Sequence, residues 1–195
     1  MTNRTATIHR KTKETDIKLH LNLDGSGQST LQTGIGFFDH MLDLFAVHGL
    51  FDINIDVIGD LHVDGHHTVE DVGICLGQAI KTSLGESKGI RRYASGAFPM
   101  DDALCHIAID IGGRPFLTID PLPNQLLGGF QTELVEEFFR SLVQHAGMNI
   151  FIHWPHKGNM HHIVESLFKG FGVALDQATQ RDPRRTGVPS TKGVL

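Results

Sequence analysis

A chain of 195 residues, 40% hydrophobic and 20% charged, has the composition of a globular protein able to bury a real core. Its formal net charge of -5 argues against a general nucleic-acid binder, which needs a basic face to neutralise phosphates. No stretch approaches the roughly eighteen apolar residues that span a bilayer, and the polar start, Met1 to Arg10, has no signal segment. A cytoplasmic protein without a membrane partner is expected. Cys75 and Cys105 each fall inside an apolar periodic stretch and are expected as buried thiols. The thirteen histidines are the compositional oddity.

Ile17, Leu19, Leu21 and Leu23 alternate with Lys18, His20 and Asn22, the period-two pattern of a half-buried strand. Asp24 to Gly27 turns the chain, and a short strand around Ser29 to Thr33 is expected to complete a hairpin. Gly34-Ile35-Gly36 leads into a helix over about Phe38 to Val47, with Met41, Leu42 and Phe45 on its core side and Gly49 as its stop. Phe51 to Val57 alternates again, and a helix follows from His66 to near Gly85. The second half retraces this order. Leu104 to Ile111 reads as a strand, Gly112 to Pro115 as a turn, Phe116 to Ile119 as its partner and Pro121 to Gly129 as a loop. A helix over about Glu133 to His145, a strand from Asn149 to Trp154 and a helix from His161 complete it. The pattern predicts an α+β fold, internally duplicated as residues 1–90 and 91–180, with helices on one face of the sheets. The halves are expected to share one core as one compact unit, followed by a basic tail, residues 181–195. That tail is either a frayed terminus or a phosphate-binding arm offering Ser190 and Lys192.

The repeat is sharpest in His66-His67-Thr68-Val69-Glu70 and His161-His162-Ile163-Val164-Glu165. Each copy opens an apolar stripe at helical spacing, Val69, Val72, Leu76 and Ile80 in one, Val164, Phe168, Phe171 and Leu175 in the other. His66 and Glu70 therefore share a helix face, as do His161 and Glu165, while His67 and His162 point about 100° away. If the two helices approach about a pseudo-twofold axis, one metal ion takes His66, Glu70 and His162, and another takes His161, Glu165 and His67. A single His-His pair is usually a surface feature; two copies, each opening an amphipathic helix, outweigh that reading. Imidazole and carboxylate donors without thiolate suit Mn, Fe, Co, Ni or Zn. The ligands alone leave two-metal hydrolysis, lyase chemistry and plain metal binding all open.

Phe38-Asp39-His40-Met41-Leu42 with His48, the two His-His-x-x-Glu motifs, Gly112-Gly113-Arg114-Pro115 and the tail Pro189 to Leu195 together resemble the imidazoleglycerol-phosphate dehydratase family of histidine biosynthesis, over essentially the whole chain. The resemblance implies a hydro-lyase that removes water from D-erythro-imidazole glycerol phosphate to give imidazole acetol phosphate, with two Mn2+ per subunit. By similarity His40 joins His67, His161 and Glu165 on one ion. The other ion takes His66, Glu70 and His162, with Glu137 standing where many members place a further histidine ligand. His40, His67 and Glu165 thereby belong to the catalytic set, and Glu14 is its expected general base, the group that takes the carbon proton. His48 and Lys169 match substrate contacts, and Arg92, Arg114, Ser190 and Lys192 match phosphate contacts. His9, His20, His62, His106, His145, His153 and His156 are left as structural or surface groups. The resemblance further implies three strands, helix, strand, helix in each half, with a left-handed crossover, and a homo-oligomer, a 24-subunit shell with sites between subunits. Phe98, Leu126, Leu127 and Phe130 are candidates for its contacts or for the core.

Overall fold

The computed structural model describes residues 4–194. The first half builds β1 (Thr5–Lys11), β2 (Thr15–Asn22), β3 (Ser29–Gln32), α1 (Gly36–Gly49), β4 (Asp52–Gly59) and α2 (His66–Leu84). The second half repeats this as β5 (Tyr93–Met100), β6 (Ala103–Asp110) and β7 (Phe116–Ile119), then a hairpin of β8 (Leu126–Leu127) and β9 (Phe130–Gln131), then α3 (Leu134–Ala146), β10 (Asn149–His156) and α4 (Met160–Thr179). The two large sheets have the same order, β1-β2-β4-β3 and β5-β6-β10-β7. β2 and β6 share one alternation: Ile17, Leu19 and Leu21, like Cys105, Ile107 and Ile109, are buried on the helix side, and their neighbours face outward.

Neither short strand forms the expected hairpin. β3 runs parallel to β4, from Ser29↔Ile53 to Gln32↔Asp56, and β7 runs parallel to β10. The reason is edge capacity. β2 pairs with β1 on one side and β4 on the other, so it has no edge left for β3. The helix between β3 and β4 supplies the crossover that parallel neighbours require. The strands β1 and β5 also escape the apolar alternation. In β1 only Ala6 is fully buried, and in β5 no residue is. Both are edge strands held by backbone pairing, so their sequences carry little hydrophobic signal. Leu126–Leu127, within the expected loop, is one arm of the β8-β9 hairpin.

α2 packs on β1 and β2, and α4 on β5 and β6; across the halves α2 packs on α3, and α1 on α4. The helices of both halves thus lie between the two sheets, and one cluster of buried apolar side chains runs through all of them. Glycine permits the helix contacts. A Cβ at Gly77 of α2 would lie 2.5 Å from the Leu142 carbonyl oxygen, and one at the matching Gly172 of α4 would lie 2.5 Å from that of Phe45.

The tail is anchored rather than frayed. Arg91 N donates to Gln180 O at 2.9 Å, Gly89 N to Gly187 O at 3.0 Å and Arg92 Nη1 to Pro189 O at 2.8 Å. Among the described residues no helix is long and apolar enough to cross a membrane.

Candidate metal centre

α1 begins where Asp39 accepts hydrogen bonds from Thr33 N at 3.0 Å and Thr33 Oγ1 at 2.7 Å, which pins its first turn. α4 begins at Asn159, whose Oδ1 accepts from His161 N at 2.8 Å. Because α1 lies against α4, His40 meets the second motif. His40 Nε2 and His161 Nε2 each stand 3.0 Å from the same Glu165 oxygen, and Lys169 Nζ is 2.6 Å from the other. One ligand atom from each of His40, His161 and Glu165 falls within a 4.8 Å span. Burial alone would raise the Glu165 carboxyl; the hydrogen bonds of Lys169, His40 and His161 outweigh it and hold the group at about 2. His48, two turns along α1 from His40, is pushed down by burial and by the Lys169 charge.

The remaining motif residues stand elsewhere in the chain. His66 Nε2 lies 3.8 Å from Glu70 Oε2 on α2. His67 Nδ1 is 2.9 Å from Asp60 Oδ2, and its Nε2 is 3.8 Å from Glu14 Oε1. His162 Nδ1 is 2.7 Å from Asp102 Oδ1. The hydrogen bonds to Asp60 and to Asp102 raise His67 and His162, respectively. The direct approach of the two motif helices is not made within one chain, because the glycine-lined faces commit α2 to α3 and α4 to α1. His40, His161 and Glu165 come together; His67 stays beside Asp60 and Glu14; His66 and Glu70 form a separate pair. Glu137 sits near the start of α3 at the place His40 holds in α1, eight residues before a histidine in each case, His145 and His48. It is half-buried, and its carboxylate has no hydrogen bond or ion pair among the described residues.

A cavity of about 900 Å³ lies between the tail and the turn after β6. Arg92, Arg114, Ser190 and Lys192 all line it, with Arg185 as a further cation that sequence reasoning passed over. Arg92 is already engaged: Nε and Nη2 donate to Asp110 at 2.6 and 3.1 Å, Nη1 holds Pro189 O, and the guanidinium lies 4.7 Å over the Tyr93 ring. It braces the cavity wall and the tail at once. Asp60, Asp102 and Asp110 were missed as well. Single aspartates in turns or at strand ends follow no spacing rule, and only their partners mark them.

Residues 33–175 match the family model described as imidazoleglycerol-phosphate dehydratase. The chain belongs to the imidazoleglycerol-phosphate dehydratase family. The dehydratase of Acetivibrio thermocellus is 57% identical over 96% of this chain and 97% of its own length; that of Geobacter metallireducens is 54% identical over 99% and 100%. The dehydratase structure from Staphylococcus aureus superposes with a TM-score of 0.83 at 36% identity, covering 91% of this chain and 99% of that one. The one from Pyrococcus furiosus, in complex with (S)-C348, gives 0.82 at 36% over 96% and 100%. Membership in the dehydratase family carries the reaction, the dehydration of imidazoleglycerol phosphate in histidine biosynthesis, and makes the chain a hydro-lyase.

Proposed function

We propose that the chain carries out this dehydration as a metal-dependent enzyme with two Mn2+ per subunit, giving imidazole acetol phosphate. The observation that carries the reading is the His40, His161 and Glu165 cluster: two imidazole nitrogens and a carboxylate held ionised, within one ion's reach. Such a nitrogen and oxygen donor set, without thiolate, fits Mn2+. His40, His161 and Glu165 would hold one ion with His67; His66, Glu70 and His162 would hold the other, with Glu137 as a further carboxylate donor. One chain keeps these sets apart, so each is completed by a second copy. The active unit is accordingly a homo-oligomer with sites between subunits, 24 by the family resemblance.

Ions held by these residues would supply Lewis-acid stabilisation of negative charge developing on the substrate. The chain's own groups do the rest. Glu14, half-exposed and 3.8 Å from His67 Nε2, takes the proton from the carbon beside the leaving hydroxyl. Lys169 holds Glu165 ionised and, with His48, contacts the substrate. Arg114, Ser190, Lys192 and the braced Arg92 anchor the phosphate at a fixed distance from the reacting carbon, with charge from Arg185 beside them.

Metal analysis of the purified protein, run beside an assay for the keto product, tests the reading. Two manganese ions per chain are expected, with activity lost on chelation and restored by Mn2+. Full activity with one ion or none would overturn it. His67→Ala and His161→Ala are expected to damage the same ion site, although the two residues belong to different halves.

A further inference from the structure

Each half carries a carboxylate at the same place. Glu14 and Asp102 immediately precede the first residues of β2 and β6, strands with one shared burial pattern. Their surroundings differ. Asp102 folds back on the motif histidine of its own half: Oδ1 lies 2.7 Å from His162 Nδ1, while Oδ2 accepts from Asn159 N at 3.0 Å. The chain is shaped around it, since a Cβ at Gly158 would fall 2.3 Å from the Asp102 carbonyl oxygen. Glu14 makes no such bond. The matching histidine, His67, gives its Nδ1 to Asp60, which follows β4, and turns Nε2 toward Glu14. The other Asp60 oxygen is buried without a partner among the described residues, so the His67 bond is the one that its carboxylate makes.

A neutral imidazole has one N–H and one lone pair, and a carboxylate only accepts. With Nδ1 against a carboxylate oxygen, the proton must sit there, and the lone pair is left on Nε2. We infer that Asp60 and Asp102 are positioning residues that fix His67 and His162 with Nε2 presented as the ligand atom. Because Asp60 does this work in the first half, the Glu14 carboxylate is free for a different role. The duplicated frame thus assigns two pseudo-equivalent carboxylates to two tasks, one to orient a ligand and one to face the substrate. This rests on the reading of His67 and His162 as metal ligands.

Mn2+ titration of the metal-free protein, with free ion followed by electron paramagnetic resonance, separates the roles without using turnover. Asp60→Asn and Asp102→Asn keep the size but lose the charge, and their amide can offer an N–H to Nδ1 and so select the wrong tautomer. Each is expected to weaken one of the two ions by roughly 10-fold or more, the usual scale for such partners. Asp60→Asn added to His67→Ala should cost nothing further at that ion. Glu14→Gln should bind both ions as the wild type does. Asp102 is more than half exposed, so Asp102→Asn tests the inference even if Asp60→Asn folds poorly. Two ions bound with unchanged affinity in both aspartate variants would overturn the inference and leave the metal reading standing, as would equal weakening in Glu14→Gln. A wild-type protein that binds no Mn2+ would remove both.

Discussion

Glu165 shows how one side chain can be prepared by its neighbours. It is almost fully buried, yet Lys169, His40 and His161 hold it ionised, with the carboxyl at about 2 against an ordinary 4.5. A depressed carboxyl stabilises the folded state above its unfolded value and ceases to do so as the pH falls through the folded one. In the metal-free protein, the melting-temperature advantage of wild type over Glu165→Gln should therefore be full above pH 5 and shrink as the pH falls from about 4.5 toward 2. Glu14, exposed and committed to no hydrogen bond of its carboxylate, is expected to behave otherwise. Glu14→Gln should lower kcat by roughly 100-fold or more, the scale of a lost general base, with KM nearly unchanged; near-normal turnover would reassign the base. The thiols are inert by contrast. Burial pushes both Cys75 and Cys105 up to about 12, so neither should be alkylated in the folded protein at pH 8, while both should react in denaturant.

At the scale of elements, the helix pairs decide where the proposed metal ligands meet. Gly77 and Gly172 bring α2 onto α3 and α4 onto α1, so that His40 lands on the second motif rather than the two motifs on each other. Gly172→Ala would gain about 1 kcal/mol of helix propensity but set a methyl 2.5 Å from the Phe45 carbonyl oxygen. A net loss of about 1–3 kcal/mol is expected, the scale of overpacking, read as a lower melting temperature together with weakened Mn2+ binding at the His40 cluster. A second link, absent from the other half, ties α2 to the first hairpin. The buried Asp71 accepts from Thr15 Oγ1 at 2.5 Å and Arg10 Nε at 2.9 Å, and Thr15 adjoins Glu14. The equivalent of Thr15 in the second half is the buried Ala103.

Across the whole molecule the tail joins the cavity proposed to take the phosphate to the second sheet. Its backbone is tied down as far as Gly187, and Arg92 holds Pro189. Ending the chain after Pro189 removes Ser190 and Lys192 but none of the proposed metal ligands. Metal content is expected to persist while KM for the phosphorylated substrate rises, and kcat to fall as well where remote phosphate binding aligns the reacting carbon. Kinetics and metal content measured on the same preparation check this; an unchanged KM would make the last residues dispensable.

By itself the sequence determined whatever rests on local periodicity or on a repeated motif. The four long helices, the inward faces of β2 and β4, the duplication and the histidine-glutamate pairs one turn apart all follow from spacing along the chain, because side-chain direction within an element is set by its own repeat. The edge strands β1 and β5 were silent, since backbone pairing holds them and leaves almost no apolar pattern to read. Tertiary structure alone decided which strand fills which edge, placing β4 where a hairpin partner was expected, and which helix faces which. It also selected Asp60 and Asp102, whose histidine partners lie 7 and 60 residues away in sequence, and Arg185, which shares its cavity with the turn after β6. Contacts of that kind arise from the packing of separate elements, and no regularity within any one element encodes them.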